Sequence, residues 1–487
     1  MHVKSCGRHV QSVHLFQILG GTYEEKRKHD LCRIFLCSVS DMLLPQTRGS
    51  ATENRKLALW PQLRTEEGWN TDFLSEAGEY FQDHFGFRQQ LVTANALING
   101  KIFGVSTADG VIQGKNGWLY YKDSLSDYLG TEPMSERALF NVAHTLSMMQ
   151  DYTEKSGAKF LFTIAPNKNT LYGENMPYYD SMIVSEDKNM DRIEAYLEKE
   201  NVNYVNLKEI LESSDEVLYH ERDSHWNNKG AALAGDALMT ALDKEHTDYT
   251  QESYEECVDF TGDLDEMLYP LALTEEKEIY YDKADVFAYV GEVESNFDPK
   301  ITTVNPGSTG SLVMYRDSFG NAILPFFANS YANAYFSRGI PYQMTDLAEH
   351  QADTVIVERA ERFLPEMAEN PPQMEAPQLT VGAVMEPEME ENARGTVTAE
   401  VQGDLVKVSG LVDEAILDTD SRIAIRRNGG AAFEAFPVTL EQEDGSSSDY
   451  GFLAYFAADS WMQDQEQIEV LIEKDGTWIL VGTQSLS

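Results

Sequence analysis

Basic residues are scarce in this chain. Its 38 Lys and Arg stand against 81 Asp and Glu over 487 residues, a net charge of −43 at pH 7. The excess is spread along the chain rather than gathered in a tail, which excludes nucleic acid as a partner. The same charge repels a polyanionic polymer at long range unless a local basic pocket holds it. Cysteine is scarcer still, and three of the four (Cys6, Cys32, Cys37) fall near the N-terminus, the fourth being Cys257. No disulfide framework therefore supports the fold. That usage fits a cytoplasm, and it fits equally an exported protein whose cores need no cross-links. Long hydrophobic runs are also missing: LCRIFLCSVSDMLL, residues 31–44, is interrupted by Arg33 and Asp41. It is too short and too charged for a membrane span and makes a poor signal segment.

What is present is enough to fold. Hydrophobic residues make up 42% and aromatics 11%, and the length points to two or three domains. Residues 1–50, with seven Lys or Arg against four Asp or Glu, read as a disordered leader or a degenerate export segment. The stretch ENPPQMEAPQ marks a change of composition, so a domain is expected over residues 51–370, a linker at 371–378, and a second domain over 379–487. Within the first, the acidic and irregular stretch at about 245–310 reads as an insertion that walls a site.

In the first domain, Thr71 to Phe103 carries apolar residues at helical intervals and is expected to break at Gly86. His84 in this segment reads as a packing residue more readily than a ligand. Asn116-Gly117, between two short apolar runs, signals a hairpin, whose Trp118, Tyr120 and Tyr121 either line a sugar site or pack on the sheet. From Met134 onward helices and strands alternate: a helix to Lys155, the strand AKFLFTIAP, NYVNL, a helix from Asn227, SLVMY, and DTVIVE. Such alternation predicts a three-layer α/β domain with a mainly parallel sheet. Beyond about Leu379 only short alternating runs occur, which predicts a small all-β sandwich.

Two stretches carry chemistry. SLVMYRDSFGNAILPFF, residues 311–327, runs an apolar strand into Ser318 and then a helix. That places the serine at the C-terminal edge of a parallel sheet, where helix N–H groups favour negative charge and where sites on open α/β sheets form. Alternatively, Asp317 or Ser318 simply caps the helix. ERDSHWNNKGAALAGDAL, residues 221–238, offers Asp223 and His225 two positions apart. A serine hydroxyl needs a base, and the imidazole a carboxylate to fix its tautomer. Taken alone, this second stretch is also readable as an Asp-capped loop. A metal held by Asp223, His225 and His220 lacks an HExxH motif, a cysteine pair, or a third ligand at fixed spacing. A third stretch, APNKNTLYGENMP, ends its own strand at the same edge. Asn167 is a candidate oxyanion donor and Lys168 and Tyr172 candidate substrate contacts; a turn asparagine and a solvated lysine explain them equally.

In this order ENRKLA, FQDHFGFR, GKNGWLYY, APNK, DSHWNNKGA, RDSFGNAILP and DTVIVERAERFL resemble the DHHW family and the related SGNH-hydrolase-like domain of the alginate O-acetyltransferases AlgX and AlgJ, over roughly residues 51–365. The resemblance implies an SGNH-like fold, an extracytoplasmic enzyme at the cell surface or in the periplasm, and Ser318 as nucleophile, His225 as base and Asp223 as its orienting carboxylate. No cofactor and no metal are expected. The implied partners are a polysaccharide, an acetyl donor and other envelope polysaccharide-biosynthesis proteins. Ser224 stands where the DHHW name has a histidine, and Arg316 replaces the glycine of a GDSx motif, a change that bears on substrate access. The expected function is serine-dependent O-acetyl transfer or acetyl-ester hydrolysis on an extracellular or cell-envelope glycan. The alternative is an inactive glycan-binding scaffold on the same fold.

Overall fold

A computed structural model describes residues 58–65, 68–84, 88–100, 106–379, 396–442, 444–460, 466–474 and 476–486. The leader at 1–50, with Cys6, Cys32 and Cys37, lies outside the described residues, as does Gly86. The expected break at Gly86 thus lies outside the described residues; helices are described on either side, Phe73–His84 and Arg88–Ile98. The side chain of His84 is not among those described.

The first domain is built on α1 (Glu136–Lys155), β1 (Lys159–Ala165), α2 (Asn189–Lys199), β2 (Tyr204–Val205), α3 (Asn228–Ala241), β3 (Ala288–Tyr289), β4 (Lys300–Val304), β5 (Ser311–Tyr315), α4 (Gly320–Ser330), β6 (Asn333–Ser337) and β7 (Thr354–Ala360). Its seven-stranded sheet has the order β2-β1-β7-β5-β6-β4-β3. The first five strands are parallel and the last two antiparallel. The expected mainly parallel sheet is therefore present, with a difference: Ala288–Tyr289 and Lys300–Val304, expected in the wall, extend the sheet instead. The rest of that wall is the hairpin of Tyr254–Phe260 with Glu276–Tyr281 and the helix Asp263–Leu268 between them.

Period-2 alternation explains the layers. Val313 and Tyr315 face α1 and α2, whereas Leu312 and Met314 face α3 and α4. Strands buried on both sides need continuous apolar runs, as SLVMY and TVIV supply. Each large apolar side chain removed from water, such as Phe162 or Phe327, contributes roughly 1.5–3 kcal/mol. Ser135 caps α1 by accepting from Ala138 N at 3.0 Å, and Asn227 caps α3 by accepting from Gly230 N at 2.9 Å. The Asn116-Gly117 hairpin forms between Val111–Gln113 and Leu119–Tyr121, with φ of 59° and 93° at its tip; both are left-handed values that this dipeptide tolerates. Among the described residues no helix is long and apolar enough to cross a membrane.

The C-terminal domain is all-β. β8 (Thr396–Gln402), β9 (Leu405–Leu411), β10 (Ile423–Arg427), β11 (Ala432–Glu441), β12 (Ser447–Ala457), β13 (Glu466–Lys474) and β14 (Thr477–Leu486) pair antiparallel in the order β8-β9-β12-β11-β10-β13-β14, with Gln378–Leu379 beside β11. It is packed against the first domain rather than tethered to it. Phe436, Val438, Leu453 and Tyr455 join the α1 core. Arg137 donates to the carbonyls of Thr419 and Ser421, and His144 bridges Glu200 at 2.7 Å and Glu434 at 3.0 Å. The segment expected to be a linker is accordingly a packed strap. Pro371, Pro372, Met374 and Ala376 are buried, Gln373 N donates to Tyr342 O, and Ala376 N donates to Tyr455 O.

Candidate active site

Ser318 lies just beyond the C-terminal end of β5, three residues after Tyr315. The turn there is fixed from inside. Asp317 accepts from Phe319 N at 2.9 Å and from Ala360 N at 2.7 Å, and its own N–H donates to the buried Glu358 at 3.0 Å. Burial and the neighbouring Asp317 push the Glu358 carboxyl well up. Asp317 thus supplies the turn and capping bonds, which leaves the Ser318 hydroxyl for another partner. That partner is His225, whose Nε2 is 2.8 Å from Ser318 Oγ.

Behind the imidazole, His225 Nδ1 is 2.8 Å from Asp223 Oδ1. The same oxygen accepts from His225 N at 2.8 Å, and Asp223 Oδ2 accepts from Asp263 N at 2.8 Å. Asp223 therefore both shapes the loop and orients the ring. Burial alone raises the Asp223 pKa, but the bonds and charge from His225 outweigh it and hold it low. For His225 burial works against charge, and the carboxylates of Asp223 and Asp263 outweigh it, so its pKa lies above 6.5. A neutral imidazole with its proton on Nδ1 is the form that accepts from Ser318.

Asp263, unread in the sequence, is a second carboxylate on this pair. It accepts from Ser224 N at 2.8 Å and Ser224 Oγ at 2.6 Å, and its Oδ2 is 3.7 Å from His225 Nδ1. Ser224, which departs from the DHHW pattern, is the hydroxyl that ties this carboxylate to the loop. Gly262 permits the approach: a Cβ there would lie 2.2 Å from Arg222 O. The signal was a glycine within FTGDLDEM, 37 residues after His225 and too remote for any spacing rule. Asp223, His225 and Asp263 bring ligand-type atoms within 4.8 Å of one another, but each of the contacting atoms already has a protein partner. His220 is not among them; it stacks on Phe260 and bonds Glu278 at 3.0 Å.

Four expectations need correction. The Lys168 ammonium is buried beneath the loop and donates to the carbonyls of His220, Glu221 and Asp223 at 3.0, 3.0 and 2.6 Å. Burial pushes its pKa down to about 8, and it is a strut of the Asp223 loop rather than a substrate contact. The Tyr172 hydroxyl accepts from Leu218 N at 2.8 Å, and its ring packs on Trp118 and Tyr219. Asn167 is 1% exposed and spends its side chain on Asp127 at 2.9 Å and Arg362 at 3.3 Å, so its amide is occupied as a bridge instead of facing an oxyanion. Of the hairpin aromatics, Trp118 and Tyr120 are buried and only Tyr121 is half-exposed. Arg316 is buried as well, anchored on the carbonyls of Asn296 and Asp298 at 3.0 Å each, so it braces the insertion and does not guard the entrance.

This architecture is an SGNH-hydrolase-like α/β domain followed by an antiparallel all-β domain. In particular, residues 111–290 match the family described as "SGNH hydrolase-like domain, acetyltransferase AlgX". That span includes Asp223, His225 and Asp263 and stops before Ser318, which the fold brings to them. "Probable alginate O-acetylase AlgJ" of Pseudomonas syringae pv. tomato is 24% identical over 178 residues, 36% of this chain; the chain spans only 43% of that relative's length. Among solved structures, a DHHW family protein from Eubacterium siraeum aligns over 52% of this chain and 94% of its own, with 16% identity and a TM-score of 0.40. AlgX of Pseudomonas aeruginosa aligns over 77% and 90%, with 12% identity and a TM-score of 0.35.

Proposed function

We propose that this chain is a serine-dependent O-acetyltransferase or acetylesterase acting on an extracellular or cell-envelope polysaccharide, working outside the cytoplasm. The observation that carries the reading is the Ser318 Oγ to His225 Nε2 distance of 2.8 Å, with Asp223 on the opposite ring nitrogen. The resemblance to a probable alginate O-acetylase supplies the acetyl group and the class of polymer.

In the first half-reaction His225 takes the Ser318 proton as Oγ attacks the acetyl carbonyl of the donor. Negative charge develops on the carbonyl oxygen beside the N–H groups at the start of α4. The donor's leaving oxygen or sulfur departs with the proton returned by His225, leaving acetyl-Ser318. In the second, His225 deprotonates a sugar hydroxyl or water, which attacks the acetyl carbon and frees Ser318. A sugar acceptor makes the reaction transfer; water makes it hydrolysis.

The test is p-nitrophenol release from its acetate ester by the wild type and by Ser318→Ala, with intact-protein mass spectrometry for an acetyl adduct on Ser318. Release that depends on Ser318 and a trapped adduct are expected. His225→Ala should lose about 10²- to 10⁴-fold in rate. Equal rates and no adduct would sink the reading.

A further inference from the structure

The motif DTVIVERAERFL contains a residue that the acetyl chemistry above leaves without a task. Arg362 follows β7 on the same edge as Ser318. Its Cζ lies 4.7 Å from the ring centre of Phe363 and 5.5 Å from those of Phe319 and Tyr121. Phe319 is the residue after Ser318, and its ring is 4.9 Å from that of His225. The guanidinium is therefore one aromatic ring from the reacting pair.

Its polar contacts are few. Nη1 donates to Asn167 Oδ1 at 3.3 Å, and among the described residues Nε is buried with no hydrogen-bond partner and Arg362 forms no ion pair. The carboxylate in line with it, Asp127, is held off on the far side of the Asn167 amide. Arg222, Arg359, Arg422 and Arg426 are paired with Asp265, Glu366, Glu434 and Glu469, and the buried Arg137 and Arg316 each donate to two or more backbone or side-chain oxygens, whereas Arg362 has the one bond to Asn167. In a protein with more than two acids per base, a half-buried arginine held by aromatic rings and one amide, with no carboxylate in hydrogen-bond reach, keeps donors in hand for an anion. Five N–H donors in a rigid fork, set among aromatic rings, suit a carboxylate.

We propose that Arg362 is the anion anchor of this site, and that the substrate presents a carboxylate to it while its acetyl group or acceptor hydroxyl meets Ser318. This deepens the functional reading and rests on Ser318 being the reacting group. The acidic chain repels polyanions at long range, so a local cation at the reacting centre is what lets a carboxylated substrate settle there. The carboxylate rides either on the acetyl donor or on the acceptor sugar.

The donor arm compares hydrolysis of 4-acetoxybenzoate with that of its neutral methyl ester, in the wild type, Arg362→Met and Arg362→Lys. The acceptor arm measures binding of glucuronate and of glucose to the Ser318→Ala protein, with and without Arg362→Met, by saturation-transfer NMR. In at least one arm the preference for the anion should fall about ten- to a hundredfold in Arg362→Met, through KM or Kd, and recover partly in Arg362→Lys. The arm that responds identifies which partner carries the charge. Unchanged preferences in both arms would overturn the proposal, as would equal losses for charged and neutral esters, which would put Arg362 on the oxyanion or on His225. Loss of all Ser318-dependent turnover would defeat the acetyl-serine reading, while the binding arm would still decide on Arg362.

Discussion

Replacing Asp263 by Asn isolates one electrostatic effect on the base. The carboxylate is 3.7 Å from His225 Nδ1 and accepts from Ser224 N and Oγ. An amide of the same shape keeps an acceptor for that loop, so the substitution removes a charge at little geometric cost. Two unit charges about 4 Å apart interact by about 4 kcal/mol at an effective dielectric of 20. The Asp263 side chain is 42% exposed, and burial together with Asp223 raises its own pKa, so roughly a third of that figure survives screening. About 1.4 kcal/mol is one pH unit. His225 must be neutral to take the serine proton, so kcat/KM rises as pH climbs through its pKa, which lies above 6.5. Losing Asp263 lowers that pKa and moves the acid limb about one unit toward lower pH. A pH–rate profile for p-nitrophenyl acetate over roughly pH 5–9 reads this directly. A limb that stays in place would refute the coupling. A lowered plateau without a limb shift would mean that Asp263 acts by holding the loop.

Lys168→Met removes the donor to the buried carbonyls of His220 and Asp223 and one of the two donors to the Glu221 carbonyl, and a fall in stability of about 3 kcal/mol is expected by denaturant titration; a higher KM with unchanged stability would instead make Lys168 a substrate contact. At the domain junction, burial opposes charge on His144, but its bonds to Glu200 and Glu434 outweigh it and raise its pKa. A raised histidine stabilises fully below its unfolded pKa of about 6.5 and loses that stabilisation as pH rises through the folded value. The Tm gap between wild type and His144→Phe should therefore be largest near pH 5.5 and shrink toward pH 9. A gap independent of pH would show that only packing is lost.

The proximity of Ser318, His225 and Asp223 is legible because the two stretches each sit where a period change marks an edge. SLVMY ends at a turn before α4, and DSHW precedes the small-residue helix α3, so the same sheet edge receives both. The alternatives weighed for each stretch also prove true in part: Asp317 supplies the turn, and Asp223 bonds its own loop, while Ser318 and His225 remain for each other. Edge position says nothing about direction, however, and Asn167, Lys168 and Tyr172 spend their polar groups on protein partners instead. A lysine is long enough to fold beneath a loop as well as to reach solvent, and three inward carbonyls decide the matter. The proline-rich junction was misread for a related reason. Composition changes at that junction, but apolar residues on α1 and β11 share a core across it.

Asp263 and Arg362 were missed because nothing local ties them to the triad; only the fold brings an insertion helix and the end of β7 to one place. They carry opposite charges and act on His225 in opposite directions, Asp263 raising its pKa and Arg362 lowering it. An anion bound on Arg362 would cancel part of its influence and make His225 a stronger base when substrate is present. The acid limb of kcat should then lie at higher pH than that of kcat/KM for a carboxylated substrate, because kcat reports the bound complex and kcat/KM the free protein. For a neutral ester the two limbs should coincide. Coincidence for both substrates would separate Arg362 from His225 electrically and leave it a purely positional role.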